Sequence, residues 1–325
     1  MARLPPLDTT VKRIYDGYEA RARIAPPRVH LGASEIGGDC ERAIWYSFRW
    51  VKTKEFPGRI LRLFDTGKLE EDRIVADLNA IGAEVRAFDM RTGRQYRIEA
   101  FGGHFGGSLD GLVKGVIEAP RTWHVLEMKT HNDNSFISLT EKGVRESKPD
   151  HYYQMQVYMG LSHEAPLSDV GVLDRAFYIA VNKNTDQIYI ERVHYDMVAF
   201  ERMMNKARRV IFGTTAPVKI STSATSIPCK WCNFKEVCHG KIGEDFVRPL
   251  VNCRTCLHST PYDDGTWRCE KWNRVLPPVE QRAGCEKHLF LPSLLPLKQI
   301  DATDNSVIYE DEGQEFVNHE GGEIV

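Results

Sequence analysis

Residues 59–81 read RILRLFDTGKLEEDRIVADLNAI, and Ile60, Leu63, Phe64, Leu69, Ile74 and Leu78 recur there at near-helical spacing. The pattern predicts one long helix with Glu71 on its polar face. A shorter amphipathic stretch at 9–23 predicts a first helix, and Ser34 is placed to cap another that starts beside Cys40. The period then drops to two. Runs at 84–88 and 95–100 read as strands, followed by 108–116 and 123–130 joined by a turn containing Pro120. Helices are expected around Gln154, a hairpin from 175–182 and 187–193 across the polar turn 183–186, and a helix over 196–211. Helix, sheet and helix in this order predict an α/β fold, a three-layer α/β/α domain. No internal repeat and no G-x-x-x-x-G-K-[ST] loop is present, which argues against a nucleotide-driven motor.

The chemistry concentrates in the central pair of strands, where Asp110 stands seventeen positions before Glu127 in the triplet Glu127-Met128-Lys129. Along a strand, Glu127 and Lys129 emerge on one face and Met128 on the other. If the turn brings Asp110 alongside, two carboxylates offer hard oxygen ligands to Mg²⁺ or Mn²⁺. Lys129 would then orient an attacking water and offset phosphate charge. The candidate metal-site residues on these strands are Asp110, Glu127 and Met128. The plain alternative is a strand whose outward Glu and Lys are simply solvated.

The wider pattern, an Asp separated by sixteen residues from E-x-K after a GG-x-x-D-G turn, resembles the PD-(D/E)XK nuclease superfamily. The segment LRLFDTGKLEEDRIVADLNAIG is similar to the helix that precedes the core in RecB-like members, with Gly67 followed by Glu71 where that branch carries a His. HYYQMQVYMG resembles their Q-x-x-x-Y motif and sets Gln154 and Tyr158 one helical turn apart. The resemblance implies a restriction-endonuclease-like core, a divalent-metal centre with Glu71 as a further ligand, and catalytic roles for Asp110, Glu127, Lys129, Gln154 and Tyr158.

Two cysteine sets follow. Cys229, Cys232 and Cys238 are spaced C-x₂-C-x₅-C, one ligand short, and Cys40 is the candidate fourth. A solitary Cys before the core and three after it resembles the iron–sulfur nucleases of the AddB and CRISPR-adaptation type. That resemblance implies a [4Fe–4S] cluster on four thiolates, stapling the ends of the core together; zinc is the rival occupant. Cys253, Cys256, Cys269 and Cys285 form C-x₂-C-x₁₂-C-x₁₅-C, a structural Zn²⁺ signature with a DDG turn before Trp267. His258 and His288 keep a Cys₃His set open. Arg254, Trp267, Arg268, Lys271 and Trp272 are candidates either for packing that module or for touching DNA.

Composition narrows the setting. With 325 residues, 42% hydrophobic and 27% charged, the chain is expected to be globular and free of membrane spans. Eight cysteines without a secretory leader point to a reducing compartment, the cytoplasm, and the resemblance implies that of a bacterium or a phage-infected host. Residues 301–325 hold eight of the 45 acidic residues and no Lys or Arg, so the net charge of −2 becomes +6 without them. That balance permits a phosphate-backbone groove. The expected division is a nuclease domain at 1–240, a zinc module at 241–295 and a disordered acidic tail at 296–325. His104, His124, His131 and His151 receive no catalytic role.

These features and the resemblance together predict a metal-dependent deoxyribonuclease. The resemblance implies an end-dependent exonuclease favouring single-stranded DNA, in recombination, repair, phage DNA processing or CRISPR adaptation, with protein partners from those systems. A nuclease fold retained for DNA binding or assembly is the alternative class, favoured by the Glu at position 71 and opposed by the intact Asp110, Glu127 and Lys129. Sequence-specific restriction is the poorer reading, because no base-reading motif is present.

Overall fold

The computed structural model describes residues 8–167 and 169–324. In chain order it has helix α1 (Asp8–Ile24), strand β1 (Leu31–Gly32), short helix α2 (Ala33–Ile36), helix α3 (Glu41–Phe48) and the long helix α4 (Gly58–Ala80). Strands β2 (Glu84–Arg86), β3 (Arg97–Ala100), β4 (Phe105–Ser108), β5 (Gly111–Lys114) and β6 (His124–His131) come next. Helices α5 (Asp133–Ser147) and α6 (Pro149–Glu164) precede strands β7 (Arg175–Asn182) and β8 (Ile188–His194) and helix α7 (Met197–Phe212). Two short helices, α8 (Ile227–Lys230) and α9 (Lys235–His239), lead to strands β9 (Ser259–Pro261), β10 (Trp267–Cys269) and β11 (Arg274–Leu276). The described chain closes on β12 (Lys298–Thr303), β13 (Ser306–Asp311), β14 (Gln314–His319) and β15 (Glu323–Ile324).

These elements divide into two compact units: residues up to Pro27 with Lys54–Ile98 and Gly107–Phe200, and Arg28–Thr53 with Glu99–Gly106 and everything from Glu201 on. The division is interleaved, unlike the sequential blocks expected at 240 and 295. One cause is the parallel pairing of β1 with β4, Leu31 opposite Phe105, which draws the segment containing Cys40 into the second unit.

In the first unit a five-stranded mixed sheet runs β2-β5-β6-β7-β8. Strands β6 and β7 are parallel, and the chain between them forms α5 and α6, as a parallel pair requires a crossover. On one face Ile74 and Leu78 of α4 pack with Val113, Leu126, Met128, Phe177 and Ile179. By the two-residue alternation of β6, Glu127 points to the opposite face, where α6 lies. Helix α6 is buried nearly all round from Tyr152 to Ser162, and Gly160 leaves room for the Phe200 ring where a Cβ would collide. Helices therefore cover both faces of the sheet. The amino-terminal half of α4 departs from its apolar pattern: Phe64 and Leu69 stay exposed, and its first residue, Gly58, lies against the backbone of Tyr15 in α1.

In the second unit, β9, β10 and β11 form a three-stranded antiparallel sheet and β12 to β15 a four-stranded one. The latter corrects the expectation of a disordered acidic tail. Val307 and Tyr309 alternate inward with Leu289 and Leu295, and Phe316 and Ile324 pack against them. The carboxylates occupy the outward positions and turns, so the local charge excess masks a period-two strand pattern. Glycines at positive φ, such as Gly313, form the hairpin turns.

Candidate active site

Strand β6 is the spine of the site. It lies opposite β7 in register, Glu127 beside Tyr178 and Lys129 beside Ala180. Asp110 does not sit inside a continuous strand 108–116 as expected; it occupies the break between β4 and β5. There its Oδ2 accepts a hydrogen bond from the Met128 backbone N–H at 2.9 Å, just before β5 resumes pairing with β6 at Gly111 and Leu126. The same oxygen lies 3.6 Å from Lys129 Nζ, and Lys129 forms an ion pair with Glu127 Oε1. Lys129 Nζ also donates to the Met128 carbonyl at 3.2 Å. Met128 sends its thioether into the core on the far face of the sheet, so what it brings to the centre is its backbone.

Helix α6 secures the other side. Gln154 Nε2 donates to Glu127 Oε2 at 3.2 Å and to the Tyr158 hydroxyl at 3.0 Å. Tyr158 in turn donates to the Ser108 carbonyl at 2.9 Å. The two residues of the Q-x-x-x-Y spacing thus tie the central carboxylate to the turn that carries Asp110. Glu71 completes the set from α4. Burial raises its pKa first, and the negative charge of Asp110 raises it further.

Glu127 is 0% exposed. Burial pushes its pKa up to about 7 against the pull of Lys129, with Asp110 and Glu71 adding to the rise. Burial alone would lower Lys129, but Glu127 and Asp110 outweigh it and hold the ammonium firmly protonated. Three carboxylates around one ammonium leave an excess of negative charge. Hard oxygen donors with surplus negative charge fit a divalent cation. Among the described residues no group of three or more His, Cys, Asp or Glu is already arranged to hold a metal ion. The carboxylates are close enough to shift one another's titration without forming a finished coordination sphere.

All eight cysteines are free thiols. Cys40, at the start of α3, and Cys229, Cys232 and Cys238 line one cavity with Tyr46 and Phe234. Burial raises the Cys232 thiol, and Cys40, Cys238 and Cys229 each raise it further. Cys253, Cys256, Cys269 and Cys285 line a second cavity together with His258 and His288. There burial pushes Cys253 up to about 11, with Cys256, Cys269 and Cys285 adding to it. In each set, burial and the neighbouring cysteines oppose ionisation of the thiol named. Ser34 does not cap a helix: Gly32 occupies the cap position, and no side chain bonds there. Trp267 and Arg254 are buried, whereas Trp272 is exposed.

His104 is buried among Phe48, Phe212 and Trp267, and burial followed by Arg254 lowers its pKa. His124 packs against Phe177. His131 and His151 both meet the Tyr178 hydroxyl, at 3.0 and 2.9 Å, and Ser135 Oγ lies 3.0 Å from His131 Nδ1. The sequence reading left this group out. Strand alternation from Glu127 reaches His131 and helical spacing from Gln154 reaches His151, but nothing local marks Tyr178.

A family model described as the PD-(D/E)XK nuclease superfamily matches residues 29–239. Among solved structures, the protein SSO0001 is similar over 72% of this chain and 98% of its own, with 13% identity and a TM-score of 0.41. The alkaline exonuclease LHK-Exo of Laribacter hongkongensis is similar over 60% of this chain and 90% of its own, with 16% identity and a TM-score of 0.36. Its complex with dAMP gives 14% identity over the same shares, with a TM-score of 0.36. No curated protein matches the sequence.

Proposed function

Because the chain belongs to the PD-(D/E)XK nuclease superfamily, we propose that it is a Mg²⁺- or Mn²⁺-dependent deoxyribonuclease centred on Asp110, Glu127 and Lys129, with Glu71 as a further ligand. The observation that carries this reading is the convergence of Asp110 and Lys129 on the Met128 peptide, with Glu127 paired to the same ammonium. A divalent cation held by these carboxylates would polarise the scissile phosphate and supply bound water. Lys129 orients the attacking water and offsets the charge that develops on the phosphate. Gln154 fixes Glu127, and Tyr158 fixes Gln154 against the backbone of Ser108.

The finer assignment is an end-dependent exonuclease favouring single-stranded DNA, working in recombination, repair, phage DNA processing or CRISPR adaptation. It rests on the RecB-like Q-x-x-x-Y spacing and on the placement of the cysteines. The shared cavity supports Cys40, Cys229, Cys232 and Cys238 as ligands of a [4Fe–4S] cluster. Cys253, Cys256, Cys269 and Cys285 are the ligands proposed for Zn²⁺, a reading supported by the cavity that all four line. Eight free thiols suit a reducing cytoplasm. No helix among the described residues is long and apolar enough to cross a membrane.

The test is cleavage of end-labelled linear DNA and of circular DNA by anaerobically purified protein across a Mg²⁺ or Mn²⁺ titration, with metal analysis alongside. Linear DNA should be degraded in a metal-dependent way while circular DNA survives, and each chain should hold about four Fe and one Zn. Binding to DNA ends without cleavage at any metal concentration would favour an inactive assembly protein.

A further inference from the structure

A tryptophan is among the side chains with most to gain from leaving water, yet Trp231, in the second unit, is 83% exposed. The backbone around it is well held. Helix α8 carries Pro228 in its first turn, the Cys229 N–H donates to the Ser226 carbonyl at 3.0 Å, and the Cys232 N–H donates to the Cys229 carbonyl at 3.1 Å. Cys229 is buried, and with Cys232 it lines the cavity of the first cysteine set. The turn that brings these two cysteines to the cavity therefore leaves the indole between them in water.

The charge around the indole is one-sided. Residues 217–241 carry Lys219, Lys230, Lys235 and Lys241 against a single acid, Glu236, and that acid is taken by Lys52 at 3.0 Å. Among the described residues no carboxylate forms an ion pair with any of the four lysines. Lys230 Nζ stands 5.2 Å from the centre of the Trp231 ring, and Lys219 and Lys235 line the adjoining cavity with Pro228. Trp272 makes the contrast. It too is exposed, but its neighbours are neutralised, Lys271 by Glu320 at 3.2 Å and Arg274 by Glu280 at 2.6 Å. Unspent positive charge accompanies the indole at 231 and not the one at 272.

We propose that Trp231, with Lys219, Lys230 and Lys235, is a platform for single-stranded DNA, an unpaired base stacking on the indole while the lysines take neighbouring phosphates. Every base has a π face, so an exposed indole flanked by unneutralised ammonium groups holds a single strand without reading its sequence. A duplex keeps its base faces covered and offers the indole nothing to stack on. An apolar protein partner would leave the ammonium groups without anions. The proposal deepens the deoxyribonuclease reading and rests on it for the choice of DNA among single-stranded polyanions.

The test is fluorescence anisotropy of a labelled oligo(dT) and of a labelled hairpin duplex with the full-length, anaerobically purified chain in Ca²⁺. Trp231→Ala should weaken oligo(dT) binding ~10-fold, Trp231→Phe should restore most of it, and duplex binding should stay within about twofold of wild type. Lys219→Ala should flatten the slope of log affinity against log salt by about 0.7, the loss of one phosphate contact on a single strand. The urea transition of Trp231→Ala should stay where the wild type has it, because the side chain is hardly buried; should that variant fail to fold, the Lys219→Ala slope decides. Unchanged oligo(dT) affinity in Trp231→Ala, or equal losses on oligo(dT) and duplex, would overturn the proposal. Loss of binding to vesicles of anionic phospholipid with oligo(dT) affinity untouched would overturn it too, and make the patch a membrane contact. If the wild type holds oligo(dT) through Trp231 but cleaves no DNA in Mg²⁺ or Mn²⁺, the nuclease reading fails and the platform stands.

Discussion

Gln154 and Glu127 form a buried pair, the amide of one donating to the carboxylate of the other across 3.2 Å. The helix that carries Gln154 is thereby fastened to the strand that carries the central acid. Because a buried hydrogen bond to a charged acceptor contributes about 1.5–3 kcal/mol, Gln154→Leu should lower stability by that order. It should also weaken metal affinity, since Glu127 loses the bond that orients Oε2. Urea unfolding and a Mg²⁺ titration of cleavage check both effects. A loss of stability with unchanged metal dependence would make Gln154 a packing residue.

The titration of Glu127 sets a pH dependence of unusual sign. A glutamate in the unfolded chain titrates near 4.3, whereas burial holds Glu127 at about 7 in the fold. Between those values the folded state keeps the proton that the unfolded chain releases, so this contribution to stability is complete below about 4 and is lost as pH rises through about 7. His131 and His151, depressed by burial, act in the opposite direction, losing their contribution as pH falls from about 6.5. Comparing metal-free wild type with Glu127→Gln cancels the histidines. The stability of wild type relative to the variant should fall between pH 5 and 8, as read by thermal melts in chelator, and cleavage at limiting metal should rise with pH over the same span. A flat difference would mean that Glu127 ionises normally.

Much of the site was legible in the sequence because its determinants are local: alternation put Glu127 and Lys129 on one face, and helical spacing paired Gln154 with Tyr158. Tyr178 was not legible, because its place beside Glu127 comes from the β6–β7 register, which brings together residues 51 positions apart. Asp110 meets strand β6, as expected, but from a break rather than from within a strand, since its side chain takes a backbone partner where β4 gives way to β5. The interleaved units were also hidden, because they follow from the long-range pairing of Leu31 with Phe105. The carboxy-terminal strands were lost behind their own charge.

Those strands have a measurable consequence. Tyr309 is 0% exposed and packs with Leu289, Leu295 and Val307, so Tyr309→Ala should destabilise the second unit by about 3–5 kcal/mol, as aromatic truncation in a core does. Urea unfolding followed by tryptophan fluorescence reads this directly. A disordered tail would leave the transition unmoved.

The cysteine sets should be separable by single changes. Cys40 is the distant member of its cavity, and Cys40→Ala should empty the iron site while zinc remains at about one per chain. Iron and zinc analysis of anaerobic protein checks it. Unchanged iron would assign the fourth ligand elsewhere.

The central claim is that Glu127 and Lys129 act on the reaction rather than on the fold, and one measurement tests it most directly: the single-turnover rate of linear DNA cleavage at saturating Mg²⁺, with Ca²⁺-supported DNA binding measured on the same proteins. Lys129→Met should lower the rate by ~10² or more and Glu127→Gln should abolish it at ordinary metal concentrations, with both variants binding DNA as the wild type does. Cleavage at the wild-type rate by either folded variant would contradict the account.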